Sequence, residues 1–444
     1  MKKALPQMEG SENLDFISIE GLVGNFPFEF RGNQSDVLNQ IGKALADPKI
    51  KFVVVQAPTG TGKSPLAMAC ARSVPKTYLM TPRKSLQDQY ARDFIQYFSD
   101  LRGRGNYACN KYAGENCSSA PCRSNPELRK DCSGCEYKIA LNAAVNSNIT
   151  LFNFAAALSY LNFTNSFTSR NLMIIDEAHM IEDELTNFIE FKIDLEKLRD
   201  FGVLRQDQAI PDFKTTAEYT EFLKGMVEIA KYLYDNSKDM GPNDFEEFEA
   251  FYRKLGTIVS EVTNYPENLL MDKELDLYGN LKKIIFRPFK IHRYANNYLF
   301  KYSTKIVLLS ATILNFQAFA RSLGIPLNEA SFIDVPSTFP PENSPIVRKY
   351  VAPLNFKNLK EMTPILANKI KDVLDKHAKD KGIIHTPSYV LAQDIFDLLP
   401  QRYKSRILFP KNAKEQAAFL EEHTLSKEPT VLLSPSMAEG IDFK

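Results

Sequence analysis

The sequence predicts an α/β protein of more than one domain, organised around parallel sheets, and three observations lead there. Its 444 residues exceed what one hydrophobic core serves, so roughly two to four domains are expected. Short β-rich apolar runs recur at 51–56, 77–80, 172–176, 305–310, 382–386 and 430–434, each followed by a loop and a helix-like pattern. Nearly every polar motif of the chain directly follows one of these runs, and open parallel sheets bind ligands at the carboxyl ends of their strands.

Composition is that of an ordered globular chain: 44% hydrophobic and 25% charged residues, with 31 Phe and 19 Tyr to build large cores. The formal net charge of +1 means that any nucleic-acid surface is a local groove among balanced charges. No apolar h-region follows Met1-Lys2-Lys3, and no apolar run approaches the roughly 20 residues that span a bilayer. A cytoplasmic or nucleoid-associated protein with no membrane partner is expected.

The first run ends in Ala57-Pro58-Thr59-Gly60-Thr61-Gly62-Lys63-Ser64, ahead of a helical pattern through Cys70, which is the context of a phosphate-binding P-loop. Glycines let backbone N–H groups turn toward phosphate oxygens, Lys63 supplies a point charge at the β and γ phosphates, and the Ser64 hydroxyl suits magnesium. Ala57 stands where a first glycine is usual, while the turn-forming Gly60 and Gly62 remain.

Residues 103–137 are polar and lack apolar periodicity, as a small metal-stapled insertion does. Cys109, Cys117, Cys122, Cys132 and Cys135 all fall here, and such clustering in a long cytosolic chain points to metal ligation before disulfides. Cys132-Ser133-Gly134-Cys135 also has zinc-knuckle spacing, so zinc stays open. Cys70, on the apolar side of its helix, reads as core.

The run at 172–176 closes on Asp176-Glu177-Ala178-His179. Paired carboxylates at a buried strand end suit phosphoryl transfer: Asp176 holds magnesium through its water shell, and Glu177 orients and deprotonates the attacking water. Between 182 and 301, apolar residues recur at helical spacing among charges, which predicts a mainly helical insertion. A Pro-rich passage at 335–341 marks the handover to a second α/β domain.

Asp176-Glu177-Ala178-His179 is the DEAH box, and with it the sequence resembles the superfamily 2 helicases. Further motifs are similar: Arg31-Gly32-Asn33-Gln34 to the adenine-recognising Arg-x-x-Gln element, 80–89 to motif Ia, Ser310-Ala311-Thr312-Ile313 to motif III, 382–389 to motif IV and 434–443 to motif V. Gly105-Asn106-Tyr107-Ala108-Cys109 and Cys135-Glu136-Tyr137 resemble the first and last ligand signatures of the XPD/DinG-type iron–sulfur helicases, and Cys117-x4-Cys122 their middle pair. The likeness runs from about residue 26 to the end of the sequence.

The resemblance implies two RecA-like P-loop domains, the second incomplete, interrupted by an iron–sulfur insertion and an arch-like helical insertion. Its boundaries would be 1–102, 138–181 and 302–335 for the first domain, 103–137 and 182–301 for the insertions, and 336–444 for the second domain. It implies an ATP-dependent DNA helicase moving 5′ to 3′ on single-stranded or forked DNA, with ATP, Mg2+ and a [4Fe–4S] cluster as cofactors. Lys63, Asp176, Glu177 and His179 would be catalytic. Arg31, Gln34, Pro58, Thr59, Gly60, Thr61, Gly62, Lys63, Ser64, Gly440 and Asp442 would line the nucleotide. Ser64 and Asp176 would serve magnesium, and Cys109, Cys117, Cys122 and Cys135 the cluster, with Cys132 as substitute. Lys84, Ser85, Ser388 and Glu439 would lie along the DNA.

Motif VI, a Gln-x-x-Gly-Arg-x-x-Arg helix in such helicases, does not follow motif V before Lys444. The expectation is a fragment, an incomplete frame or half of a split helicase whose partner polypeptide supplies the rest, with an exposed apolar edge left behind. An alternative is a single-strand or junction-binding module that does not unwind. A nuclease finds no clustered acidic set beyond the DEAH box, and RNA in place of DNA stays open because backbone-reading motifs do not disclose the sugar.

Overall fold

The computed structural model describes residues 19–123, 125–130, 132, 134–205, 215–237, 241–275, 281–337, 340, 342, 345–355 and 357–435. The chain divides into two compact units, Met1–Phe339 and Pro340–Lys444.

In chain order the strands of the first unit are β1 (Phe52–Gln56), β2 (Thr77–Thr81), β3 (Ser99–Asp100), β4 (Ile149–Asn153), β5 (Arg170–Ile175), β6 (Phe191–Asp194), β7 (Leu269–Leu275), β8 (Leu281–Pro288), β9 (Ser303–Ser310) and β10 (Ala330–Asp334). Seven form one sheet in the order β10-β1-β9-β5-β2-β4-β3, every pairing parallel. Continuous runs such as Phe52-Val53-Val54-Val55 and Ile306-Val307-Leu308-Leu309 are what a sheet covered on both faces demands. Alternate residues feed different cores: Phe52, Val54, Tyr78 and Met80 pack on one face, Val53, Val55, Leu79 and Ile174 on the other.

Register sets the site. Gln56 at the end of β1 pairs with Ser310 at the end of β9, and Ile175, the last residue of β5, pairs with Leu308. The loops leaving β1, β5 and β9 therefore start side by side at one sheet edge.

The 182–301 segment rests on two long helices, Thr216–Asp235 and Pro242–Asn264, which pack on each other. Thr215 and Glu218 close a reciprocal capping box at the start of the first. Helical periodicity did not announce the three-stranded antiparallel sheet β6-β8-β7 beside them. Phe191-Lys192-Ile193-Asp194 alternates over only four residues, too short a run to stand out, and Lys282-Lys283-Ile284-Ile285-Phe286 groups its charges instead of alternating them. Phe191, Ile193, Leu223, Phe248, Leu255 and Ile284 form the core between helices and sheet.

The second unit holds a three-stranded parallel sheet, β11 (Gly382–His385), β12 (Ile407–Leu408) and β13 (Val431–Ser434), in the order β11-β13-β12. Leu374, Leu391, Ile395, Leu399 and Leu433 are its core. Among the described residues no helix is long and apolar enough to cross a membrane.

Candidate active site

The loop after β1 turns through two left-handed glycines, Gly60 (φ 83°) and Gly62 (φ 81°), and Gly62 caps the helix Lys63–Arg72. A side chain is disfavoured at Gly62: its left-handed φ resists one, and a Cβ would force the Gln34 amide to shift. Ala57 causes no disturbance where a glycine is usual; it is fully buried, and its N–H donates to the Ser310 carbonyl at 2.8 Å. Thr61 ties the loop by donating its hydroxyl to the Pro58 carbonyl at 2.7 Å, while Thr59 stays exposed.

Gln34 is buried against this loop, not against open space. Its amide donates to the Thr61 carbonyl at 2.9 Å and its oxygen accepts from the Arg31 N–H at 2.8 Å, leaving the Arg31 side chain exposed. The Arg-x-x-Gln element thus braces the phosphate loop.

Lys63 Nζ lies 3.4 Å from the Ala57 carbonyl and 3.9 Å from Glu177 Oε1. Asp176, the first residue past β5, is buried, and its two oxygens are held separately. Oδ1 accepts the Glu177 N–H at 2.9 Å and Oδ2 accepts the Tyr90 hydroxyl at 2.8 Å. Burial, then the adjoining Glu177 carboxylate, push Asp176 up to about 6. Such a carboxylate gains from a cation beside it. Tyr90 thus meets Asp176, one of the two residues expected to serve magnesium.

Glu177 holds a left-handed backbone (φ 51°), which costs a non-glycine residue about 1–2 kcal/mol. Strain of this kind persists where it aims a functional side chain. Glu177 Oε2 lies 3.5 Å from His179 Nδ1, and that nitrogen lies 2.8 Å from Ser310 Oγ. Ser310 Oγ in turn accepts the Thr312 N–H at 3.1 Å, and Gln56 Oε1 accepts the Leu314 N–H at 2.7 Å. The carboxyl ends of β1, β5 and β9 are one bonded network.

Lys84 and Ser85 open the helix Lys84–Phe94, both exposed, and Lys84 Nζ donates to Asn106 Oδ1 at 3.0 Å. Ser388 caps the helix Tyr389–Leu398 in the second unit, accepting the Leu391 N–H at 3.2 Å. Glu439, Gly440 and Asp442 lie outside the described residues.

Within the cysteine insertion, Ala108 bridges Asn116, so that Cys109 and Cys117 flank one short antiparallel link. Cys117 Sγ is 3.7 Å from Cys135 Sγ. Burial and then the Cys135 thiol push Cys117 up to about 12, and the same two causes raise Cys132 to about 11. Cys135 goes the other way. Against its burial, hydrogen bonds from the Lys138 backbone and from the Cys117 and Cys132 thiols bring it below the usual thiol range at the N-cap of the helix Glu136–Asn146. Cys109 and Cys122 act on these thiols electrostatically. Among the described residues, no group of three His, Cys, Asp or Glu side chains is arranged as a metal site. The donor set is all thiol and lies within one insertion, a chemistry that suits an iron–sulfur cluster or zinc. Cys70 is fully buried, its thiol raised to about 12 by desolvation, as befits a core residue.

The insertion docks on the helix Pro242–Asn264. Arg123 pairs with Glu249, Ser118 donates to Glu246, and the Arg123 guanidinium stands 5.8 Å from the Phe245 ring centroid.

Tyr90 and Gln56 belong to the site and were not singled out from sequence. The signal for Tyr90 was its place on a stripe with Gln87 and Phe94, all buried on one face of the helix Lys84–Phe94. A tyrosine on an apolar stripe needs a partner for its hydroxyl.

Fold and site together define a P-loop nucleotide site on a helicase-type α/β scaffold. The model of the family "Type III restriction enzyme, res subunit" matches residues 27–202. A search by sequence finds no match among curated proteins. In structure the chain is similar to an XPD helicase (TM-score 0.55, 14% identity, 96% of this chain and 80% of that one). It is also similar to XPD in its apo form (TM-score 0.50, 14% identity, 96% and 79%) and to Xpd4 of S. tokodaii (TM-score 0.51, 14% identity, 91% and 80%). The chain shares its fold with these XPD structures.

Proposed function

We propose that this chain is the ATP-hydrolysing motor of a helicase that moves along single-stranded DNA, 5′ to 3′. The observation that carries the reading is the chain of hydrogen bonds and close charge contacts joining Lys63, Asp176, Glu177, His179 and Ser310 at adjacent strand ends.

In this reading the loop N–H groups from Gly60 to Ser64 and the Lys63 ammonium hold the β and γ phosphates. Ser64 and Asp176 would hold magnesium, which when bound neutralises charge developing between those phosphates. Glu177 orients the attacking water and takes its proton, with Lys63 moving from the Glu177 carboxylate to phosphate as nucleotide enters. His179 passes any displacement of Glu177 to Ser310 and the segment after β9. Lys84 and Ser85 meet the nucleic-acid backbone by phosphate contacts that do not read sequence. By the resemblance of their motifs, Ser388 and Glu439 would contact nucleic acid, and Gly440 and Asp442 nucleotide. Cys109, Cys117, Cys122 and Cys135 would hold a [4Fe–4S] cluster that staples the insertion, with Cys132 the reserve ligand and zinc the alternative occupant.

The test is strand displacement by anaerobically purified protein on duplexes with a 5′ or a 3′ single-stranded tail, with ATP. Displacement confined to the 5′-tailed duplex is expected. Tight tail binding without displacement would favour the binding-module alternative, and displacement from the 3′ tail would reverse the proposed direction.

A further inference from the structure

Tyr90 lies outside every helicase motif in the sequence, yet it touches the centre of the site. The side chain is fully buried, and its hydroxyl donates to Asp176 Oδ2 at 2.8 Å. Tyr90 packs on Phe94, ring centroids 5.9 Å apart, within the core on that face of the sheet. A buried hydroxyl costs about 1–3 kcal/mol unless it is bonded, and an apolar residue would fill this place without that cost. With Tyr90 on Oδ2 and the Glu177 N–H on Oδ1, each Asp176 oxygen has one donor and keeps a lone pair for a cation or its water.

The same helix presents Lys84 and Ser85 at its exposed start. Six residues of helix, about 9 Å, separate Lys84 from Tyr90, so a push on one end of this rigid element moves the other.

We propose that Tyr90 is a positioning residue for magnesium: it holds Asp176 in ligand geometry, and it makes that geometry depend on where the helix Lys84–Phe94 sits. The proposal rests on the ATPase reading above. Outer partners of metal ligands usually change metal affinity by about 10–100-fold.

The experiment is binding of a fluorescent ADP to the full chain while magnesium is titrated, with Tyr90→Phe compared to wild type. Tyr78→Phe serves as control: it also deletes a buried phenol hydrogen bond, to the Thr168 carbonyl at 2.6 Å, but in the core on the other sheet face. Tyr90→Phe should need about tenfold more magnesium for half-maximal tightening, with ADP affinity in its absence unchanged, and Tyr78→Phe should match wild type. An unshifted magnesium midpoint in Tyr90→Phe, or an equal shift in Tyr78→Phe, overturns the proposal. Hydrogen exchange of the wild-type helix 84–94 supplies an independent readout if Tyr90→Phe does not fold. Added protection with Mg-ADP over ADP alone is expected, and identical exchange overturns the proposal. A wild-type chain that binds no Mg-ADP overturns the ATPase reading and this one together.

Discussion

His179 Nδ1 lies 2.8 Å from Ser310 Oγ, joining the acidic end of β5 to the last residue of β9. In a motor this bond would carry the state of the nucleotide into the segment beyond β9. His179→Ala is expected to leave ADP binding intact and to lower nucleic-acid-stimulated ATP turnover about tenfold, the worth of one hydrogen bond to the site. Ser310→Ala should do the same, and the double variant little more, because the two act as one unit. Additive losses in the double variant would contradict the pairing.

Gly62→Ala places a methyl against the Gln34 amide at a φ that an L-residue resists. Nucleotide affinity should fall at least about tenfold, with a stability loss of about 1–2 kcal/mol from the left-handed backbone. Equilibrium binding of ADP and denaturant unfolding measure the two effects. Gln34→Ala removes the obstacle but also the brace on Thr61, so it should not restore binding.

Glu249 is the buried hub between the cysteine insertion and the helix Pro242–Asn264, paired with both Arg123 and Arg253. Glu249→Ala strands a buried guanidinium and should cost about 3–5 kcal/mol, whereas an Arg123→Met, Glu249→Leu pair should recover much of that. Thermal unfolding read against accessibility of the cysteines to a thiol reagent would show whether the insertion loosens first.

Glu261 accepts the Tyr298 hydroxyl at 2.9 Å on Oε1, while its buried Oε2 has no hydrogen-bond partner among the described residues. Burial raises its pKa above the ordinary carboxylate value. The folded state therefore binds the proton more tightly than the unfolded one, and stability falls as pH rises from the unfolded value through the folded one. Glu261→Gln keeps the acceptor and discards the charge. Its melting midpoint should exceed wild type by about 2 °C or more at pH 7 and match it near pH 4. An equal gain at both pH values would contradict the electrostatic cause.

Much of this site was legible before any fold was known, because phosphate chemistry dictates residue types at fixed spacing. Gly60-Thr61-Gly62-Lys63-Ser64 and Asp176-Glu177 are short motifs behind long apolar strands, and β1, β2, β5 and β9 declared themselves by their continuous runs. β3 and β12 are two-residue pieces, and β4 and β10 dilute their apolar residues with Thr, Asn, Ser and Asp; none shows a pattern that separates it from loop. Tyr90 was hidden for a different reason. Its partner Asp176 stands 86 residues further on, and only the parallel register of β2 and β5 brings helix and carboxylate together. The Arg123–Glu249 contact spans 126 residues and was invisible for the same cause.

The most direct test of the motor reading is ATP hydrolysis by the anaerobically purified chain, with and without single-stranded DNA, beside Lys63→Ala. Hydrolysis that DNA stimulates in the wild type and that vanishes in Lys63→Ala is expected. Hydrolysis that survives Lys63→Ala, or a folded, nucleotide-bound chain whose turnover DNA leaves unchanged, would contradict it.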